Sequence, residues 1–207
     1  MYLFFGIICV LESSCSSKLK INDFIDKVNK DEDFVKTQVA GNIQLTVSYK
    51  PAEYMALSEM RSKIDGQTAI SAKEFKETTD GFRTSAYFLL KIGATDSTDV
   101  MKIGITDRVS YANRLNDLTF NSGRHAYFLS SANDTIRASI FDLQRSFGYS
   151  NDLSILFAFP RRLVDEEQLV RFVYEDAYFG IEKPVSIEFE PKKLTKKLPE
   201  IILNSNP

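Results

Sequence analysis

The sequence predicts a mainly β protein, an antiparallel β-sandwich of the immunoglobulin type or similar, with one to three short helices. Strand-like segments joined by turn residues recur through the second half of the chain. Residues 42–49 alternate between apolar and polar side chains, which is typical of a strand with one buried face. The chain also has 16 Phe and 9 Tyr, residue types that favour strands. The alternative is an α+β fold, with helices between 51 and 79 on one face of an antiparallel sheet.

The composition fits one folded domain. The chain has 207 residues, of which 43% are hydrophobic, and a formal net charge of -2. This length is sufficient to bury a core, and the apolar fraction excludes a disordered chain. The near-neutral charge gives no support for nucleic-acid binding. With 2 Cys and 1 His there is little material for a zinc site or a disulfide framework, and we expect no cofactor and no metal.

The amino-terminal segment is apolar from Tyr2 to Leu11. A membrane-spanning helix needs about 20 such residues, so this run is too short to span. Its length fits the apolar core of a secretory signal, which is typically about 7–15 residues. Only the amino terminus supplies positive charge before the run.

The residues that follow the apolar run are LESSCSSK, at 11–18. This stretch resembles the signal of bacterial lipoproteins, in which small residues precede a Cys that carries the lipid after cleavage. Glu12 departs from that pattern, because an apolar residue is expected there. The resemblance implies a signal peptide at 1–14, lipid attachment at Cys15 and a polar tether at 15–20, followed by a single β-rich domain at 21–207. Alternatively, 1–11 are a buried first strand, an uncleaved anchor or an ordinary secretory signal.

The first part of the domain mixes helices and strands. Apolar residues at 21, 24, 25 and 28 indicate a helical face, and Gly41 ends that segment. After the alternating strand at 42–49, Pro51 opens a predicted helix, since proline is tolerated in the first turn. Ser71 and Glu74 have the spacing of a capping box and predict a helix that ends before Gly81.

The remaining elements are mostly strands. Residues 83–92 read as a buried strand, 100–105 as a shorter one, and 107–118 as a helix or a helical turn. Further strands are predicted at 125–130, 135–143, 153–159, 168–174 and 185–189.

Candidate catalytic and metal-binding residues are few. His125 is the single histidine, and a Ser/His/Asp triad would need it as the base; without a G-x-S-x-G elbow, it is better interpreted as an ordinary histidine at a strand edge. Acidic residues occur at 96–99, 165–167 and 175–176 but lack the spacing of an EF-hand loop, so we interpret them as solvated loops.

Two binding features remain. Tyrosines could form a stacking surface for sugars or peptides, although packing in the core is the simpler interpretation: Tyr111, Tyr127, Tyr149, Tyr174 and Tyr178. The basic segment at 192–198 could touch an acidic partner, or could be a solvated end that packs through Leu194 and Leu198.

The sequence therefore predicts a lipid-anchored protein of the cell envelope with a non-enzymatic binding or assembly role. We expect the membrane and an envelope protein as partners, and no nucleic acid. The expected location is the outer membrane rather than the inner, with the domain in the periplasm or at the cell surface. The alternatives are a glycan- or small-ligand-binding lipoprotein and an envelope hydrolase.

Overall fold

A computed structural model describes residues 18–144 and 149–203. Within these residues it has eleven strands, eight short helices and one 3₁₀ turn. The mainly β prediction is confirmed, but the helices outnumber the one to three that were expected. The strands are β1 (Lys18–Lys20), β2 (Val35–Ala40), β3 (Ile43–Lys50), β4 (Ser85–Ala94), β5 (Ala126–Leu129), β6 (Thr135–Arg137), β7 (Ile140–Gln144), β8 (Leu153–Pro160), β9 (Val170–Tyr174), β10 (Val185–Phe189) and β11 (Glu200–Ile202). The helices are α1 (Ile21–Lys30), α2 (Ala52–Glu59), α3 (Arg61–Asp65), α4 (Ala72–Phe82), α5 (Arg108–Phe120), α6 (Ser122–His125), α7 (Arg162–Asp165) and α8 (Pro191–Leu194).

The strands form three sheets. An antiparallel five-stranded sheet has the order β2-β3-β4-β8-β7, and an antiparallel four-stranded sheet has the order β10-β9-β5-β6. The third sheet is a parallel pair of β1 and β11, with Leu19 opposite Ile201. This pair joins the two ends of the described chain.

The core contains aromatic side chains from both larger sheets. The ring of Phe128 on β5 lies 4.7 Å from that of Phe88 on β4 and 4.8 Å from that of Phe159 on β8. Phe189 on β10 packs against Phe88 at 5.5 Å. All four side chains are buried. Their contacts tie the two antiparallel sheets to one core, and each aromatic residue removes a large apolar surface from water.

Helices α1, α2 and α4 follow the sequence signals. On α1, Phe24 and Val28 are buried, as the apolar spacing predicts. Pro51 directly precedes α2. The side chain of Ser71 accepts a hydrogen bond from the backbone N–H of Glu74 at 3.1 Å, so the predicted cap of α4 is formed. Helix α4 runs on through Gly81 to Phe82, slightly beyond its predicted end.

Three predicted segments differ from the structure. The strand predicted at 100–105 is wrong, because the Asp99 side chain caps a 3₁₀ turn at Val100–Lys102 and Gly104 adopts a left-handed backbone conformation with φ of 67°. The single strand predicted at 135–143 is two strands, β6 and β7, in different sheets. His125 is the last residue of α6 rather than the start of a strand.

The amino-terminal predictions fall largely outside the described residues. The signal peptide at 1–14 and Cys15 lie there, as does Cys9. Of the predicted tether at 15–20, residues 18–20 are described, and they form β1 and pair with β11. Within the described ranges, no helix has the length and apolar character to cross a membrane.

Candidate functional site

A groove lies between helices α2 and α4 on one side and residues 194–201 on the other. Its volume is about 670 Å³, within the ~300–1,000 Å³ typical of ligand sites. We call it the tail groove, because residues 194–201 form one wall. The other lining residues come from the end of β3, from α2 and α4, and from the region of α7: Tyr49, Pro51, Ala52, Glu53, Phe75, Lys76, Thr79, Asp80, Arg83, Arg161 and Asp165.

The wall at 194–201 is held in place by an ion pair to a distant turn. The ammonium of Lys196 lies 2.8 Å from a carboxylate oxygen of Asp31 and 2.7 Å from one of Asp33. Asp31 and Asp33 belong to the turn between α1 and β2. Leu194 is buried beneath the same segment. The basic segment at 192–198 is therefore partly packed through Leu194, one of the two arrangements expected from the sequence.

The charges in the groove are almost all neutralised within the chain. Arg83 contacts Glu53 and Asp80, both at 2.9 Å, and Arg161 contacts Asp165 at 3.0 Å. The remaining pairs are Lys76 with Asp80, Glu200 with Lys18, and Lys196 with the turn described above. Lys197 differs: it is exposed, lines the groove, and has no ion pair or hydrogen bond with the described residues. An anionic group in the groove would meet one unpaired cation.

The floor of the groove combines aromatic and cationic groups. Tyr49 is 3% exposed and packs against Phe34 and Phe88. Burial raises the pKa of its phenol, and this effect outweighs the opposing influence of Arg161. The phenol is therefore neutral at ordinary pH and offers a hydroxyl rather than a charge. Apolar surface from Phe75 and Leu198 lies beside the paired charges. Such a lining suits a ligand that is apolar in part and polar in part.

A second cluster of polar groups surrounds Asp117 on α5. One oxygen of this carboxylate accepts hydrogen bonds from the Tyr178 hydroxyl at 2.6 Å and from Nε2 of His125 at 2.9 Å. The other accepts from the Asn121 amide at 2.8 Å. Burial opposes ionisation of Asp117, but these hydrogen bonds outweigh it and lower its pKa. Since an ionised carboxylate only accepts, we assign the hydrogen of neutral His125 to Nε2, which leaves Nδ1 as an acceptor.

Arg114 supports this Asp117 cluster from beneath. Arg114 is 5% exposed, and its guanidinium donates to the backbone carbonyls of Val100, Met101 and Tyr178 at 3.2–3.3 Å. It also lies 5.4 Å from the ring centres of Tyr178 and Phe179. Arg114 thus joins the 3₁₀ turn after Asp99 to the loop that carries Tyr178, and it fixes the side chain that binds Asp117.

The other predicted site residues are not brought together. Asp96 and Asp99 accept backbone N–H groups of their own loop, from Thr98 and Met101. Among the described residues, no group of three or more His, Cys, Asp or Glu side chains is arranged to hold a metal. The five tyrosines do not form one exposed surface: Tyr174 is buried, Tyr127 hydrogen-bonds to Glu175, and Tyr149 is 96% exposed.

Sequence reasoning identified neither the groove nor the partners of His125. The groove residues come from four separate segments of the sequence, and no spacing rule connects them. One signal was present: Asp117 lies on the helix predicted at 107–118, and Asn121 follows four residues later, which is the spacing of neighbours on a helix face. Comparison of the chain with family models, curated proteins and solved structures found no match.

Proposed function

We propose that this chain is a lipid-anchored protein of the cell envelope that binds a partner protein in the tail groove and catalyses no reaction. The groove of about 670 Å³ carries the proposal, because it combines apolar surface, internally paired charges and one unpaired cation, Lys197. Neutralised charges favour recognition by shape and hydrogen bonds over bulk electrostatic attraction. The proposed place of the domain is the periplasm or the cell surface, at the outer membrane.

The position of β1 connects the groove to the proposed anchor. Lys18 begins β1 only three residues after Cys15, and β1 pairs with β11 at the edge of the groove. Three extended residues reach at most about 10 Å. With a lipid on Cys15, the groove would face partners close to the membrane. An anchor of more than one acyl chain would hold it there, since each buried CH₂ contributes about 0.8 kcal/mol.

We propose further that the two antiparallel sheets form a sandwich. The support is the contact between aromatic side chains of opposite sheets, such as Phe88 with Phe128 and Phe189. In a sandwich, strand ends and loops gather at the edges of the layers, which leaves the α2, α4 and 194–201 segments free to form a groove outside the core.

The groove is tested with two probes on the full chain, a phage-displayed heptapeptide library and a panel of envelope glycans. We expect selected peptides to bind, and Lys197→Glu to weaken their binding about tenfold, because the change repels an acidic group. Lys192→Glu is the matched control: Lys192 is exposed on the same basic segment but does not line the groove. Binding of glycans alone would favour the glycan-binding alternative, and equal effects of the two variants would place the peptide site elsewhere.

The hydrolase alternative is supported by one observation, the contact between Asp117 and His125. An acid that orients a histidine is the arrangement by which enzymes prepare a general base, here with Nδ1 available to take a proton from water. The assay is hydrolysis of p-nitrophenyl acetate by the full chain, beside His125→Gln and Asp117→Asn. We expect the wild-type chain to hydrolyse the ester no faster than these two variants. Turnover that both variants abolish would overturn the non-enzymatic proposal.

A further inference from the structure

Strand β11 has a partner on one side only. Among the described residues it pairs with β1 alone, and no other backbone hydrogen bond involves Glu200–Ile202. The tail groove is lined by Pro199, Glu200 and Ile201 but by no residue of β1. The groove therefore borders β11 and not β1. A strand edge with unpaired N–H and C=O groups is a template for another strand.

We infer that the tail groove receives an extended peptide segment of the partner protein, which adds to the free edge of β11 as a third strand. This inference rests on the proposed function and specifies its ligand class. In strand addition, main-chain hydrogen bonds supply affinity, while pockets for alternate side chains supply specificity. A groove beside a free edge provides both.

The lining predicts the composition of the peptide. Phe75 and Leu198 offer apolar surface and favour an apolar side chain. Lys197 favours Asp or Glu at another position, because the other charged groups of the groove already have partners. A peptide that combines an apolar and an acidic residue fits this set better than one that is uniformly charged.

A second copy of this chain is a poorer occupant. Parallel pairing of β11 with β11 of another copy would bring that copy's own 194–199 segment beside the groove. This segment supplies Lys196 and Lys197 rather than an acid. Like charges in one groove oppose such an assembly, so a partner with an acidic segment is the occupant we commit to.

The test uses the strongest heptapeptide from the library and a set of seven versions, each N-methylated at one residue. Methylation removes a backbone donor and leaves the side chain in place. Because alternate residues of a strand point their N–H groups to the same edge, we expect losses of about tenfold or more at every second position of the paired stretch. Binding is measured by isothermal titration of the full chain, with Lys192→Glu as the control protein.

The outcomes separate the two proposals. Binding that depends on Lys197 but shows no alternation on methylation overturns strand addition and leaves groove binding intact. Binding that Lys197→Glu leaves unchanged overturns both groove binding and strand addition. Light scattering of the free chain adds a third outcome: a dimer that the heptapeptide dissociates would show that a second copy occupies the edge, and would overturn the choice of partner.

Discussion

Lys50 is a buried cation without a carboxylate partner among the described residues. It is 5% exposed, donates to the side-chain oxygen of Asn29 at 2.7 Å, and lies 4.5 Å from the ring centre of Tyr54. Burial lowers the pKa of its ammonium from 10.5 to about 8. The unfolded chain, in which this amine has its ordinary pKa, therefore binds more protons than the folded chain between these two values.

We predict that stability rises with pH through this window because of Lys50. The free energy of unfolding should increase from pH 8 towards pH 10, by at most about 3 kcal/mol over the full window. Lys50→Met keeps most of the apolar stem and removes the titrating group. The free energy of unfolding of Lys50→Met minus that of wild type, measured by urea unfolding at pH 7.5, 8.5 and 9.5, should decrease as the pH rises. A constant difference would contradict this account of Lys50.

Tyr178 is predicted to control the ionisation of Asp117. Burial, together with the hydrogen bond to Asp117, raises the pKa of the Tyr178 phenol to about 12, so the hydroxyl remains a donor. Tyr178→Phe removes that donor and should raise the pKa of Asp117. Because the folded-state pKa of Asp117 is lowered, its stabilising contribution is present above the ordinary carboxyl pKa and is lost as the pH falls through the folded value.

The measurement is a carbon NMR titration of the Asp117 carboxyl group, with Tyr111→Phe as the control. Tyr111 lies on the same helix and is 38% exposed. We expect Tyr178→Phe to shift the titration upward and to cost about 1.5–3 kcal/mol of stability near neutral pH, the range for a hydrogen bond to a charged group. An unshifted titration would show that the other donors hold Asp117 ionised on their own.

At the level of elements, sequence patterns predict a strand or helix where interactions between residues close in sequence determine it. The alternation at 42–49 predicts β3 because one face must be buried, and Ile43, Leu45 and Val47 are each at most 1% exposed. The 100–105 segment shows the limit of such reasoning. Its apolar residues fit a strand, but the Asp99 cap and the left-handed Gly104 produce a turn instead.

The capping box of α4 is only half formed. Ser71 caps the backbone of Glu74, while the Glu74 carboxylate contacts the ammonium of Lys63 on α3. A sequence pattern identifies the cap but cannot foresee that competing ion pair, since Lys63 belongs to another helix.

Ser71→Ala should destabilise the protein by about 1 kcal/mol, because an orphan N–H loses its acceptor at the start of α4. Chemical denaturation measures this change. Ser62→Ala is the matched control, since Ser62 is exposed within α3 and its side chain has no capping role. Equal stability changes in the two variants would contradict the assigned cap.

At the scale of the molecule, both candidate sites depend on contacts between residues that are far apart in the sequence. Lys196 reaches Asp31 across 165 positions, and Tyr178 reaches Asp117 across 61. Length, composition and periodicity predict the mainly β fold, because they reflect burial within each element. They predict neither the groove nor the Asp117 cluster, because these arise where helices, strands and the end of the described chain converge. The lipid anchor at Cys15 remains a prediction of the sequence, and mass spectrometry of the mature amino terminus tests it.

The most direct test of the central claim maps the site of binding on the molecule. The full chain, labelled with ¹⁵N, is titrated with the selected heptapeptide, and amide chemical shifts are followed by NMR. We predict that the largest changes fall at 194–201 and on the facing parts of α2 and α4, while amides around Asp117 and His125 stay unchanged. Changes centred on Asp117 and His125, with the groove unaffected, would contradict the account.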